Sequence, residues 1–300
     1  MDVFTSLDSS TTTDVLELVD TAAIADGLPA VGEQPLLKLR HGSDDTVFHL
    51  LDRDDDGRLI AYANLDAAGT GPLGVELVVH PAHRRRGVGA RLVAAVVDKG
   101  TDLGRSAVNA WAHGDHPSAV ALADRFGFTR ERVLYQMRRR LDADWPTVDV
   151  PDVTIRTFQP GRDEQALLTV NNAAFADHPD QGGWTVRDLV MREREAWFDP
   201  AGLFLAENSD GELLGFHWTK VHGDGDAQVG EVYVLGVSPR AQGMRLGTAL
   251  TAVGLRHLRD RGLATVMLYV DESNTAAVRL YTGQGFVRWI TDVGYRRQLG

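Results

Sequence analysis

The segments ELVVHPAHRRRGVGARL at 76–92 and VLGVSPRAQGMRLGTAL at 234–250 decide the fold. They align without gaps, Pro81 on Pro239 and Gly89 on Gly247, so the offset is 239 − 81 = 158 residues, about half the chain. The same offset carries VNAWAHGDHPSAVALADRFGF at 108–128 onto VMLYVDESNTAAVRLYTGQGF at 266–286, and both end in Gly-Phe. Two separate segments in one register indicate an internal duplication. Each copy reads as an apolar strand, a proline turn, a polar glycine-containing loop and a helix. Val88, Leu92 and Ala95 share one helical face in the first copy, as Leu246, Leu250 and Val253 do in the second. Such a loop aims backbone N–H groups and the positive end of the helix dipole at one point, which suits an anion.

Outward from these segments, Pro146 and Pro151 bracket a short polar stretch in LDADWPTVDVPDVTIRTF, which reads as a linker. The expected repeats are therefore residues 1–147 and 148–300, each of ordinary domain size. Hydrophobic residues make up 43% and charged residues 24%, the balance of a globular protein. No stretch approaches the roughly 20 apolar residues of a membrane helix, and the start lacks the basic and apolar regions of a signal peptide. A cytoplasmic chain is expected. With no cysteine, disulfides, thiolate nucleophiles and sulfur-based zinc sites are excluded. A net charge of −11 disfavours nucleic acid and confines any polyanionic ligand to a local site. The ten histidines show no metal-ligand spacing, so no metal site is assigned. Asp52, Asp54, Asp56 and Gly57 imitate a calcium loop, but Ala63 stands where a carboxylate is required, and an acidic hairpin turn is expected instead.

The loop and the segment after it resemble the GNAT superfamily, whose pattern is Gln/Arg-x-x-Gly-x-Gly/Ala followed by a segment like Asn-x-x-Ala-x-x-x-Tyr-x-x-x-Gly-Phe. The first copy matches the loop with Arg84, Gly87 and Gly89, whereas the second places Arg245 at the first glycine. The second copy matches the later segment with Asn274, Ala277, Tyr281, Gly285 and Phe286, whereas the first has His116 and Ala123 at the asparagine and tyrosine. The resemblance implies an α/β protein of two tandem GNAT domains, each a central mixed sheet flanked by helices, with acetyl-coenzyme A as co-substrate. It implies coenzyme contacts from Leu235, Gly236 and Val237, from the loop Gln242, Gly243, Met244, Arg245, Leu246, Gly247 and Thr248, and from Asn274, Thr275, Ala276, Ala277, Val278 and Arg279. A second nucleotide site would use Leu77, Val78, Val79, Arg85, Arg86, Gly87, Val88, Gly89 and Ala90.

N-acetylation requires a base for the attacking amine, a donor to the thioester oxygen and an acid for the leaving thiolate. Glu231 resembles the general base of several GNAT enzymes, and Tyr281 resembles the acid. Simple alternation places Glu231 on one strand face with Tyr233, Leu235 and Val237. At the 158-residue offset their counterparts are Leu73 and Ala123, so the N-terminal repeat is expected not to catalyse. Plainer readings remain beside these: an edge-strand glutamate, a core tyrosine, and a solvated basic patch at residues 84–86.

VGEQPLL at 31–37, NNAAFADHPDQGGWT at 171–185, EAWFDP at 195–200, GFHWTKVH at 215–222 and GEVYVLGVSP at 230–239 resemble the actinobacterial mycothiol synthase family. That resemblance implies an acceptor, the cysteinyl amine of Cys-GlcN-Ins (desacetylmycothiol), held by Glu33, Asp180, Lys220, Glu231 and Tyr269. Asp180 is shorter than the glutamate common in that family. A monomer with no nucleic-acid or membrane partner is expected. Two alternatives stay open: a GNAT enzyme for another amine or a protein N-terminus, and a non-catalytic acetyl-coenzyme A sensor.

Overall fold

The duplication reappears in the bounds of the elements. The first copy runs β1 (Asp2–Phe4), α1 (Ser9–Asp26), α2 (Glu33–His41), β2 (Val47–Arg53), β3 (Leu59–Asp66), β4 (Leu73–Val79), α3 (Val88–Asp102), β5 (Ala107–Ala112), α4 (Pro117–Arg125) and β6 (Thr129–Arg140). The second repeats the order: β7 (Val153–Thr157), α5 (Glu164–Ala174), α6 (Val186–Glu193), β8 (Leu203–Asn208), β9 (Leu213–His222), β10 (Val229–Val237), α7 (Leu246–Asp260), β11 (Thr265–Asp271), α8 (Thr275–Gly283) and β12 (Val287–Gln298). Adding 158 to α3, α4 and β6 gives the bounds of α7, α8 and β12 residue for residue. This computed structural model describes residues 1–42, 45–142, 148–176, 181–223, 225 and 228–300. Pro146 of the expected linker and Asp180 lie outside them.

Contacts group the chain into two compact units, Met1–Tyr135 with Asp271–Asn274 and Ile290–Gly300, and Gln136–Val270 with Thr275–Trp289. Grouping by contact thus differs from the order of the copies along the chain. The first unit takes the end of β12, where Val293 to Gln298 pair antiparallel with β5.

In the first unit, β1 to β5 and then β12 are neighbours in that order, antiparallel except for the parallel pair β4–β5. Successive side chains alternate between faces, as strand geometry requires. Leu50, Ala61, Ala63, Leu65 and Val75 pack with Val88, Leu92, Val93 and Val96 of α3. Leu51, Tyr62 and Val78 pack with Val15, Leu18, Val19 and Ala22 of α1. Asp54 closes the β2–β3 hairpin as a turn residue: its Oδ1 accepts from the Arg58 N–H at 2.9 Å, and Gly57 takes φ +80°.

In the second unit the order is β7-β8-β9-β10-β11, again with one parallel pair, β10–β11. Leu167 and Leu168 of α5 and Leu189 of α6 cover Leu203, Leu205, Phe216, Trp218 and Val234. On the opposite face Leu246, Ala249 and Leu250 of α7 cover Phe204, Ala206, Leu214, Leu235 and Val237. Full burial of such a side chain stabilises by about 1.5–3 kcal/mol, so both sheets are fixed tightly against their helices.

Candidate active site

Each unit contains a wedge between its parallel strands. β10 pairs with β11 at Gly230, Glu231 and Val232 and at no later residue among those described, although β10 runs on to Val237. β4 likewise pairs with β5 at Leu73, Gly74 and Val75 and then continues to Val79. Beyond the last pair the parallel strands make no further ladder pair among the described residues, and backbone N–H groups on such an opened edge suit an acceptor-rich ligand. Leu235, Gly236 and Val237 stand on the open part of β10, and Leu77, Val78 and Val79 on that of β4.

Both wedges lead through a single 3₁₀ turn into a phosphate-type loop and then into the N-terminus of α7 or α3. The two loops follow the same backbone path with interchanged residue types. In the first, Arg85 has φ +61° and Gly87 φ +81°; in the second, Gly243 has φ +86° and Arg245 φ +61°. Arg245, at the family's glycine position, thus adopts the left-handed conformation without losing the loop. That conformation costs a non-glycine residue about 1–2 kcal/mol, which a glycine avoids while bringing its own entropy cost of about 0.5–1 kcal/mol. Arg245→Gly is therefore expected to raise stability by up to about 1 kcal/mol in thermal melting. If the exposed guanidinium meets phosphate, calorimetry should also show acetyl-coenzyme A binding weakened by roughly 3–10-fold, the scale of one charge-assisted contact. In the first loop, Arg84 is committed to structure: its guanidinium grips Asp26 at 2.7 and 2.8 Å and its Nε donates to the Val79 carbonyl at 3.1 Å. That grip holds the Asp26 carboxyl below its ordinary pKa. Arg85 and Arg86 remain exposed.

The two copies differ most at the reacting end of the wedge. Between Val232 and Val234 the β10–β9 register shifts at a β-bulge, whereas the corresponding β4–β3 register is regular. The bulge corrects the alternation expected from sequence. Glu231 and Tyr233 lie on the α5–α6 face, but Leu235 and Val237 pack against α7 on the other. Glu231 is 5% exposed, pairs in register with Lys220, and has its Oε2 2.6 Å from His222 Nε2. Lys220 is also buried, with Nζ 4.3 Å from the Trp197 ring centre and 5.0 Å from that of Tyr233. Arg192 of α6 donates from Nε to the Tyr233 hydroxyl at 2.7 Å and lies over the Trp184 ring at 4.0 Å. A desolvated carboxylate beside a desolvated ammonium, walled by aromatic rings, is a polar centre built for a small polar acceptor.

Tyr281 of α8 is buried edge-to-face against Phe286, and burial pushes its phenol up to about 12. It therefore stays protonated at neutral pH, as a general acid must. Asn274 precedes α8, its N–H bonding the Asp271 carbonyl at 3.0 Å, and Thr275, Ala276, Ala277, Val278 and Arg279 form the first turns of that helix. Tyr269 of β11 is 36% exposed and its hydroxyl accepts from Gln136 at 2.8 Å. Glu33, in the first unit, is the first residue of α2.

In the first copy, Leu73 and Ala123 are both core residues. The carboxylate next to that wedge, Glu76, is consumed by other contacts: it accepts from the Gly32 N–H at 2.5 Å and from His113 Nε2 at 3.1 Å. The other ring nitrogen of His113 lies 3.3 Å from Asp292. Burial alone would lower the His113 pKa, but the Asp292 and Glu76 hydrogen bonds overcome it and hold the imidazole up at about 10. This brace, like His222 and Arg192, is invisible to motif reading, because each member gains its meaning from a partner distant in sequence. Period-2 spacing does place Lys220 and His222 on one face of a strand, but nothing in the sequence sets that strand's register against Glu231.

The model of the acetyltransferase (GNAT) family matches residues 18–128 and 167–286, one match in each copy. The mycothiol acetyltransferase of Stackebrandtia nassauensis is 59% identical, across 100% of this chain and 99% of its own length. The mycothiol acetyltransferase of Thermobispora bispora is 54% identical, covering 94% of this chain and 95% of its own. Among solved structures, a tandem GNAT protein from the clavulanic acid biosynthesis pathway superposes with a TM-score of 0.74 at 20% identity, covering 99% of this chain and 98% of that one, a likeness of fold. Duplicated wedges, phosphate-type loops and similarity to these relatives over nearly the full length agree: the chain belongs to the acetyltransferase (GNAT) family and, within it, to the mycothiol acetyltransferase family.

Proposed function

We propose that this chain transfers the acetyl group of acetyl-coenzyme A to the cysteinyl amine of Cys-GlcN-Ins, giving mycothiol and coenzyme A, and that the C-terminal copy performs the chemistry. The observation that carries the reading is the buried Glu231–Lys220 pair at the closed end of a wedge, with Leu73 at the offset position of Glu231 in the first copy. Glu231 removes a proton from the attacking amine; because an α-amino group has a pKa of about 7.7–8.0, a modest carboxylate base suffices. The open N–H groups of β10 polarise the thioester carbonyl, at about 2.7–4 kcal/mol for a well-placed donor. Tyr281 protonates the departing thiolate. Transfer is direct, in a ternary complex, since the chain has no cysteine to carry the acetyl group.

Lys220 holds acceptor hydroxyls beside Glu231. Lys220→Ala should raise the acceptor KM by about 10–100-fold, the loss of one hydrogen bond from a charged donor, and leave the acetyl-coenzyme A KM within about twofold. Steady-state kinetics with each substrate varied in turn checks this; a larger effect on acetyl-coenzyme A would reverse the assignment. Glu33, Tyr269 and Asp180 complete the proposed acceptor contacts. The first copy binds nucleotide without turning it over. A cytoplasmic monomer is part of the proposal. Among the described residues no helix is long and apolar enough to cross a membrane.

The deciding experiment is coenzyme A release with Cys-GlcN-Ins, with other small amines or peptide N-termini, and with no acceptor. Preferential turnover of Cys-GlcN-Ins is expected. Preference for another amine would move the substrate assignment, and nucleotide binding without release under any condition would make the chain a sensor.

A further inference from the structure

The proposed transfer creates a proton that must leave the site. As the C–N bond forms and the thioester C–S bond breaks, an ammonium acceptor loses two protons. One ends on the coenzyme thiol and the other goes to water. Glu231, the group that takes a proton from the amine, has a side chain only 6% exposed and is poorly placed to hand it to bulk solvent. His222 is placed to do so. Its Nε2 lies 2.6 Å from Glu231 Oε2, and its side chain is 36% exposed. Strand pairing sets this contact: Val229 faces His222 and Glu231 faces Lys220, so His222 and Glu231 are diagonal neighbours on one face. Imidazole takes up and releases protons near neutral pH, and its two nitrogens can do so at different ends of the ring.

We infer that His222 is the proton exit of Glu231, a relay between the buried carboxyl and solvent; this rests on the reading of Glu231 as the base. In the tautomer with Nε2 free, the ring accepts the carboxyl proton at Nε2 and releases the Nδ1 proton to water. Exchange with solvent then restores the starting tautomer, so each turnover exports one proton and consumes no other reactant. Among the described residues, charged and titratable groups near the pair are Lys220, directly opposite Glu231, Tyr233 beside it, and Arg192, which bonds the Tyr233 hydroxyl. His222 joins Glu231 to a partly exposed ring. In the first copy Leu73 stands at the offset position of Glu231, so that copy has no carboxyl for such an exit to serve.

The test is His222→Gln in the full chain, a change that keeps a hydrogen-bonding group beside Glu231 but removes the relay. The expected result is a kcat lower by about 10-fold or more, with both KM values within about twofold, and saturable recovery on adding imidazole, which leaves the wild-type rate unchanged. A kcat within twofold of wild type, while Glu231→Gln is inactive, would overturn the relay and leave the base standing. A slow variant that imidazole does not rescue, or one whose defect lies in the acceptor KM, would show a packing role and overturn it equally. Retained turnover in Glu231→Gln would instead overturn the reading beneath it. Thermal melting of each variant confirms that the protein measured is folded.

Discussion

Glu231→Gln lowers kcat by about 10²-fold or more, the scale of lost general-base catalysis, and leaves acetyl-coenzyme A affinity nearly unchanged. The side chain is buried and lies on the face of β10 opposite Leu235 and Val237, so its loss leaves the α7 side of the wedge intact. Glutamine has the same shape and can still bond His222, and a neutral amide is cheaper to bury than a carboxylate, so the fold should be retained. The effect must therefore appear in kcat rather than in stability. Single-turnover rates at neutral pH, with acetyl-coenzyme A binding measured separately by calorimetry, check the assignment. Wild-type turnover in the folded variant would remove Glu231 as the base.

What the sequence makes legible here is whatever the duplication and the period of the elements determine. The 158-residue offset anticipates two similar units because α3, α4 and β6 recur as α7, α8 and β12 with the same bounds. The loop and strand residues of the two proposed nucleotide sites are contiguous in sequence, so a motif can point to them. The reacting centre is different. Its face assignment depends on the bulge between Val232 and Val234, and one extra residue in a strand leaves no trace in an apolar run such as VYVLGV. Trp197, Arg192 and His222 meet Lys220, Tyr233 and Glu231 through strand register and helix packing, which are set by the whole sheet. Arg245 is the converse case. As a letter it breaks the glycine pattern, yet its φ of +61° keeps the path that Gly87 follows at +81°. The pattern specifies a conformation, and glycine is the usual but not the sole residue that reaches it.

The same conformational detail shapes a test of which copy works. Gly247→Asp should abolish turnover, while Gly87→Asp should weaken nucleotide binding in the first copy and spare most of the rate. A Cβ at Gly247 meets nothing closer than a Val237 methyl carbon at 3.8 Å, and at Gly87 nothing lies within 4 Å, so both side chains have room. Gly87 has φ +81°, a conformation aspartate reaches more easily than most residues, at a cost of about 1–2 kcal/mol. Each aspartate sets a negative charge at the N-terminus of a helix that otherwise attracts phosphate, so repulsion should dominate over shape. Gly247→Asn and Gly87→Asn separate the two effects, because asparagine has the same outline without the charge; each should lose far less than its aspartate partner. Calorimetric titration with acetyl-coenzyme A counts the sites, and steady-state rates show which one matters. If Gly87→Asp stopped the reaction in a folded protein while Gly247→Asp did not, the working copy would be the first, and the roles of Glu231, Tyr281 and His222 would fall together.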